Sequence, residues 1–141
     1  MSISVLIKQP LRQAQLQPLY LFDAHTFWTR WRGWKALPQN KGFATAVWLR
    51  PCRAVHLWGM RQALDICFLD ESDQPLRFCP AVAPGAVRWH RKARSVLEAP
   101  LGYLCGPEQF APWAVALQEL RKTKGVVRQG YIFVYRNENY C

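Results

Sequence analysis

The stretch that decides the fold is LDICFL at residues 64–69, followed by DESDQ at 70–74 and LRFC at 76–79. Leu64, Ile66 and Phe68 alternate with their neighbours, as expected for a β-strand that turns one face to the core. The five residues after Leu69 have the composition of a turn. The sequence therefore predicts a β-hairpin at the centre of a mostly β protein.

Short segments of the same kind lie on both sides of this hairpin. They are rich in apolar and aromatic residues and are separated by Gly, Pro and Asp, which is typical of short strands. The predicted strands are residues 3–7, 20–22, 46–49, 55–58, 96–98 and 131–135. The fold class that follows is mostly β (α+β), as a small β-sandwich or partly closed barrel with one short N-terminal helix and one C-terminal helix.

The two helices are predicted from caps and apolar spacing. Asp23 or Thr26 can cap a helix that runs to Trp34. Pro112 suits the first turn of a second helix, in which apolar residues recur at helical spacing as far as Lys124. A chain of 141 residues has the length of one domain. Within it we expect a strand and linker at 1–19, the main domain at 20–110, and a helix–strand extension at 111–141 packed on that domain.

Composition narrows the class of protein. Half of the residues are apolar, so a packed core is expected. The longest stretches without a charged side chain have about ten residues, too few for a membrane-spanning helix. The start lacks a basic leader and does not resemble a signal peptide. Five cysteines without a C-x-x-C pair fit neither a zinc ribbon nor a thioredoxin-like motif. An odd count of this kind predicts free thiols and a cytoplasmic location.

Several segments together resemble a known family. Residues 24–33, AHTFWTRWRG, are similar to the A-x-[ST]-x-x-x-R-x-x-G opening of the bacterial and archaeal family catalogued as domain of unknown function 192 (DUF 192). Residues 49–70 follow that family's central signature in order and spacing, and VLE at 96–98 with Gly102 resembles its closing element. The resemblance covers about residues 20–102. It implies a bacterial, compact, mostly β domain, structural roles for Arg30, Gly33 and Gly102, and no established activity.

Charge is distributed unevenly along the chain. Nineteen Lys and Arg against nine Asp and Glu give a net charge of +10. Seven basic residues and no acid lie between Asp23 and Asp65, and five basic residues and no acid lie between Asp73 and Glu98. Tryptophans are interleaved with these cations. This layout predicts a basic, Trp-bearing surface that binds an acidic partner.

The residues expected at that surface are Arg50, Arg53, Trp58, Arg61 and Asp65. We interpret the protein as a non-enzymatic binding or accessory module without a cofactor, whose acidic partner is a protein. Nucleic-acid binding through the same basic face is the alternative, although no nucleic-acid motif is present. The sequence does not indicate which oligomeric state the protein adopts.

Asp65 is unusual because it is a carboxylate among apolar strand residues. One interpretation makes it a general base or a ligand anchor. The other, which we favour, makes it a buried partner of Arg61 or Arg30, since buried charges are normally paired.

A second alternative function is metal or thiol chemistry. Cys52, His56 and Met60 form C-x-x-x-H-x-x-x-M, a ligand set that suits copper. On one strand, residues four apart lie ~13 Å apart, so a metal site needs a sharp bend at Pro51 or Gly59. The sequence contains neither a G-x-S-x-G elbow nor a Gly-rich phosphate loop, and we therefore predict no catalytic residues.

Overall fold

Two sheets of unequal size form the fold. The computed structural model describes residues 3–5, 19–24, 44–122 and 130–133. The strands are β1 (Ile3–Val5), β2 (Leu19–Ala24), β3 (Ala44–Leu49), β4 (Ala54–His56), β5 (Leu64–Leu69), β6 (Pro75–Val82), β7 (Val87–Trp89), β8 (Ser95–Pro100) and β9 (Gly130–Phe133). Helix α1 (Phe110–Lys122) follows a single 3-10 turn at Pro107–Gln109. The mostly β class and the C-terminal helix are confirmed.

The larger sheet has seven strands in the order β1-β9-β2-β3-β8-β5-β6. The β1–β9 and β2–β3 pairs are parallel, and the other neighbours are antiparallel. Strands β4 and β7 form a separate antiparallel pair. Because β1 and β6 are the outer strands of the larger sheet, the described strands do not close into a barrel. The described strands thus form two sheets and no closed barrel, and the choice between a small β-sandwich and a partly closed barrel stays a prediction.

The central hairpin is confirmed as β5 and β6. The two strands pair with Cys67 opposite Phe78. In the turn between them, Asp70 Oδ1 accepts hydrogen bonds from the backbone N–H groups of Ser72 at 2.8 Å and Gln74 at 2.9 Å. A carboxylate that binds the backbone two and four residues ahead holds the turn closed, which is the reason that turns favour Asp.

Strand β5 is buried on both faces, whereas the alternating pattern predicted one buried face. Cys67 and Leu69 belong to a core covered by α1, in which Trp113 and Leu117 are fully buried. Ile66 and Phe68 belong to a second core, on the other face of the sheet, to which β4 contributes Val55. We call these the helix-side core and the small-sheet core. The larger sheet separates them, so it is a middle layer.

The remaining predicted elements agree in part. Residues 3–5 and 20–22 lie within β1 and β2, and β9 overlaps the predicted last strand. The predicted N-terminal helix, with Arg30 and Gly33, lies outside the described residues. The predicted division into segments stays a prediction. None of the helices in the described ranges is long and apolar enough to span a membrane.

Candidate binding surface

The small sheet of β4 and β7 exposes one face to solvent. In β4, Val55 points into the small-sheet core while Ala54 and His56 are exposed. In β7, Val87 is 48% and Trp89 is 64% exposed. His56 lies opposite Val87, and Ala54 lies opposite Trp89, so these side chains share the outer face. Three-residue strands can place only a few side chains there, and two of these are large and apolar.

Trp58 extends this face beyond the end of β4. Its side chain is 60% exposed, and its ring centroid lies 4.6 Å from that of His56. We call His56, Trp58, Val87 and Trp89 the aromatic face. Contiguous exposed apolar side chains on a protein surface mark an interaction site more often than isolated ones do. The aromatic face is therefore the leading candidate for a functional surface in the described part of the chain.

Cations border the aromatic face. Arg53, which directly precedes β4, is exposed, and Arg61 and Arg94 are exposed as well. Residues 87–92 and Arg77 line a cleft of about 480 Å³, which we call the cationic cleft. Its four cations are Arg77, Arg88, Arg91 and Lys92. Within the described ranges none of these four forms an ion pair with a carboxylate. Their positive charge is thus available to an external anion.

The structure brings together only part of the predicted binding set. Arg53, Trp58 and Arg61 are exposed, as a binding surface requires. Arg50 instead donates from Nε to Asp23 Oδ1 at 3.0 Å and from Nη2 to Asp23 Oδ2 at 2.6 Å. Asp65 is 1% exposed and faces the helix-side core, on the opposite side of the larger sheet. These five residues do not form one surface.

Arg50 belongs to a structural cluster around Trp48, which is fully buried. The guanidinium carbons of Arg50 and Arg121 lie 4.2 Å and 4.9 Å from the Trp48 ring centroid. Arg121 also donates from Nη2 to Asp73 Oδ1 at 2.7 Å. This hydrogen bond with Asp73 raises the pKa of Arg121 above its ordinary value. Each guanidinium is held by a carboxylate and an aromatic ring, so neither is available to a partner.

Asp65 is held by backbone N–H groups. Its Oδ1 accepts from Ala81 at 2.9 Å, and its Oδ2 accepts from Gly102 at 2.9 Å and Leu104 at 3.1 Å. The pairing with Arg61 is therefore wrong, because Arg61 is exposed and no ion pair links it to Asp65 among the described residues. Arg30 lies outside those residues. Three donors satisfy a buried carboxylate without any cation.

The positions that donate to Asp65 have special backbones. Gly102 has φ +90°, where a side chain would be strained, and this gives a physical reason for the structural role predicted for it. Ala81 has φ +52° and lies beside the irregular register between β5 and β6. Asp65 thus stabilises two unusual backbone segments, a bulge and a turn, from one position in the sheet.

The predicted metal ligands do not converge. His56 points outward on the aromatic face, while Cys52 and Met60 pack against the small-sheet core. Cys52 Sγ donates to the carbonyl of Ala54 at 3.1 Å. Among the described residues no group of three or more His, Cys, Asp or Glu is placed to hold a metal ion. Nothing in this geometry favours the predicted copper or thiol chemistry at these residues.

The cysteines differ in state. Cys52, Cys67 and Cys79 are free thiols, as predicted. Burial, with the Coulombic effect of Cys79, raises the pKa of Cys67 to about 12, so this thiol stays protonated at neutral pH. Cys105 is disulfide-bonded, and the expectation of free thiols throughout is wrong for this residue. Its Sγ lies 3.4 Å from Asp65 Oδ2 and, being part of a disulfide, has no proton to donate.

Glu98 is a buried carboxyl that the sequence analysis missed. It lies in β8 between Val47 of β3 and Ile66 of β5, and it is 6% exposed. Burial raises its pKa to about 7. No hydrogen bond or ion pair reaches it from the described part of the chain. The sequence could have indicated this burial, because Glu98 is two residues from the apolar Val96 and residues two apart on a strand share a face.

Comparisons with known proteins provide little further information. No model of a known protein family matches the chain, and no curated protein matches it. A crystal structure of a protein of unknown function from Novosphingobium aromaticivorans aligns with a TM-score of 0.44 and 12% sequence identity. The alignment covers 79% of this chain and 71% of that one. The resemblance to DUF 192 stays a prediction.

Proposed function

We propose that this protein is a non-enzymatic binding module whose aromatic face binds an acidic partner protein. The observation that carries the proposal is the pair of exposed tryptophans, Trp58 at 60% and Trp89 at 64%, in one aromatic face. Tryptophan is enriched among the few interface residues that supply most of the binding energy, because it buries a large apolar area on contact. Two such side chains left in water can be buried by a partner.

The surrounding charge determines which partner is favoured. Arg53 directly precedes β4, the cationic cleft shares Val87 and Trp89 with the aromatic face, and the chain carries a net charge of +10. A basic rim attracts acidic proteins over long distances and repels basic ones, so it raises the association rate and excludes wrong partners. The apolar Val87 in the aromatic face supports a protein rather than a nucleic acid, since aliphatic side chains offer nucleic acid neither stacking nor hydrogen bonds.

We extend the proposal to the family, the source and the location of the protein. Membership of the DUF 192 family, a bacterial source and a cytoplasmic location fit a small accessory protein of this kind. Free thiols at Cys52, Cys67 and Cys79 support a reducing compartment, and the disulfide at Cys105 is the observation that opposes it. Nucleic-acid binding remains the competing function, and the experiment below separates the two.

Replacing Trp58 with alanine is expected to weaken binding of the partner at least about tenfold, which corresponds to ~1.4 kcal/mol. The partner is first identified by co-purification from native cells. Its affinity for the purified wild type and for Trp58→Ala is then measured by calorimetry at about 150 mM salt, where distant surface charges are largely screened. The reason for the expected loss is that the variant removes an anchor and leaves the rim unchanged.

The matched control is Leu101→Ala, which truncates an apolar side chain that is 52% exposed on the turn after β8. It should bind the partner like the wild type. The proposal is contradicted if the two variants bind equally well. It is also contradicted if binding is lost on nuclease treatment and falls steeply with salt, which is the behaviour of a nucleic-acid ligand.

A further inference from the structure

We infer that the cationic cleft binds a phosphoryl group on a phosphorylated segment of the acidic partner. This inference rests on the proposed function, since it assigns the chemistry that the partner presents beside the aromatic face. The cleft has about 480 Å³ of space, within the range of ordinary ligand pockets. A single anion leaves much of that volume free, so there is room for the side chain that carries it.

The cleft concentrates positive charge from separate parts of the chain. Arg77 comes from β6, Arg88 from β7, and Arg91 and Lys92 from the turn after β7, so three chain segments contribute cations to one space. No carboxylate lines the cleft. Like charges held together destabilise one another, and an anion that enters the cleft relieves this repulsion. The cleft is therefore selective for negatively charged ligands.

The number of cations in the cleft suits a phosphoryl group better than a carboxylate. A carboxylate of Asp or Glu brings one negative charge and two acceptor oxygens. A phosphorylated side chain brings about 1.5 to 2 negative charges and three strong acceptor oxygens. Three guanidinium groups with planar donor forks match the phosphoryl group better, because each fork can donate to two oxygens at once. Clusters of arginine are the usual means by which proteins recognise such groups.

The arrangement of the aromatic side chains favours a protein segment over a nucleic acid. Trp89 and His90 are the aromatic side chains that line the cleft, while Trp58 lies outside it. A bound single strand requires platforms for successive bases and cations that follow its backbone. Here the four cations surround one space, and Trp58 lies outside the cleft. Trp89 also belongs to the aromatic face, so one extended segment can contact both surfaces.

The test uses three fluorescently labelled peptides of one acidic sequence, with phosphoserine, serine or glutamate at the central position. Anisotropy is measured with the full chain at constant ionic strength. We expect the phosphoserine peptide to bind at least about tenfold more tightly than the glutamate peptide. Added inorganic phosphate should compete with the phosphoserine peptide, whereas an equal ionic strength of chloride should not.

The variants localise the preference to the cleft. Arg91→Gln is expected to reduce the preference for phosphoserine to less than about threefold, because one of four cations is lost. Arg88→Gln is the second variant, because Arg88 Nη1 also donates to the Val87 carbonyl at 2.8 Å and can affect β7 itself. Lys122→Gln is the matched control, since it removes the same charge from the end of α1, and it should keep the preference. Thermal unfolding establishes that each variant is folded.

Three results would overturn the inference. Equal binding of the glutamate and phosphoserine peptides makes the cleft a general acidic site, and the proposed function then stands without it. A single-stranded oligonucleotide that binds more tightly than the phosphoserine peptide, and depends on Arg91, assigns the cleft to nucleic acid. A preference that survives both Arg88→Gln and Arg91→Gln places the phosphoryl group elsewhere. Failure of the proposed function is separate, because it is measured with Trp58→Ala on the partner protein.

Discussion

Replacing Asp65 with alanine is expected to lower the free energy of unfolding by about 4 kcal/mol, because three backbone donors lose their acceptor at once. Ala81, Gly102 and Leu104 donate to the two carboxylate oxygens at 2.9, 2.9 and 3.1 Å. A hydrogen bond to a charged group contributes ~1.5–3 kcal/mol, and a buried donor without a partner costs about 1–3 kcal/mol. The expected loss is smaller than the sum of three such contributions, because water enters the space of the removed carboxylate and hydrogen-bonds to the freed N–H groups.

Urea unfolding monitored by fluorescence measures this loss, with Asp65→Asn as the milder variant. Asparagine keeps one carbonyl oxygen, so we expect about half of the effect. Glu71→Ala removes an exposed carboxylate and should change stability by less than ~0.5 kcal/mol. Arg61→Gln tests the alternative pairing, and it should also have little effect. A large loss in Arg61→Gln, or a loss below about 1 kcal/mol in Asp65→Ala, would contradict the backbone anchor.

Replacing Glu98 with glutamine is expected to stabilise the protein by roughly 3 kcal/mol at pH 8 and by little at pH 5. Burial raises the pKa of Glu98 from 4.5 to about 7. The folded state therefore holds this proton more tightly than the unfolded state does. The stability that protonation contributes is fully present below pH 4.5 and is lost as the pH rises through about 7. Glutamine remains neutral and removes this dependence.

The measurement is the difference in unfolding free energy between Glu98→Gln and the wild type, taken from pH 5 to pH 8. Other titrating groups contribute to both proteins and cancel in the difference. Glu71→Gln is the control, because its exposed carboxyl should give a small difference at every pH. A difference for Glu98→Gln that stays constant from pH 5 to pH 8 would show that this carboxyl ionises in the folded protein as freely as in the unfolded chain.

The elements that the sequence predicts well have local causes. The hairpin of β5 and β6 is held by Asp70 and the backbone a few residues ahead of it. Helix α1 presents apolar side chains at regular spacing, and the buried ones include Trp113 and Leu117. Strand β7 was missed because a strand of three residues, with Arg88 at its centre, is too short to show alternation. The partners across a sheet also leave no local pattern, so the order of the strands was not predictable.

In the candidate site, too, the sequence predicted the local features and not the contacts between distant residues. The run of cations after Asp73 and the interleaved Trp89 were visible in the sequence, and one cleft is lined by Trp89 and by all of these cations except Arg94. The separation of Asp65 from Arg53 and Trp58 was not visible, because a shift of one residue along a strand changes the face of the sheet. Asp65 is bound by donors 16, 37 and 39 residues away in sequence. Every residue except proline has an N–H group, so residue identity cannot reveal such partners.

The place of β9 in the larger sheet affects how the chain folds during synthesis. Gly130–Phe133 lies between β1 and β2, pairing with Ile3–Val5 on one side and with Leu19–Phe22 on the other. On the ribosome, these early strands emerge well before the strand that separates them. Until then, β2 presents an unpaired edge, and joining β1 directly to it would exclude β9. The nascent chain must therefore keep this gap open, and ribosome-bound chaperones that shield strand edges should increase the yield of native protein.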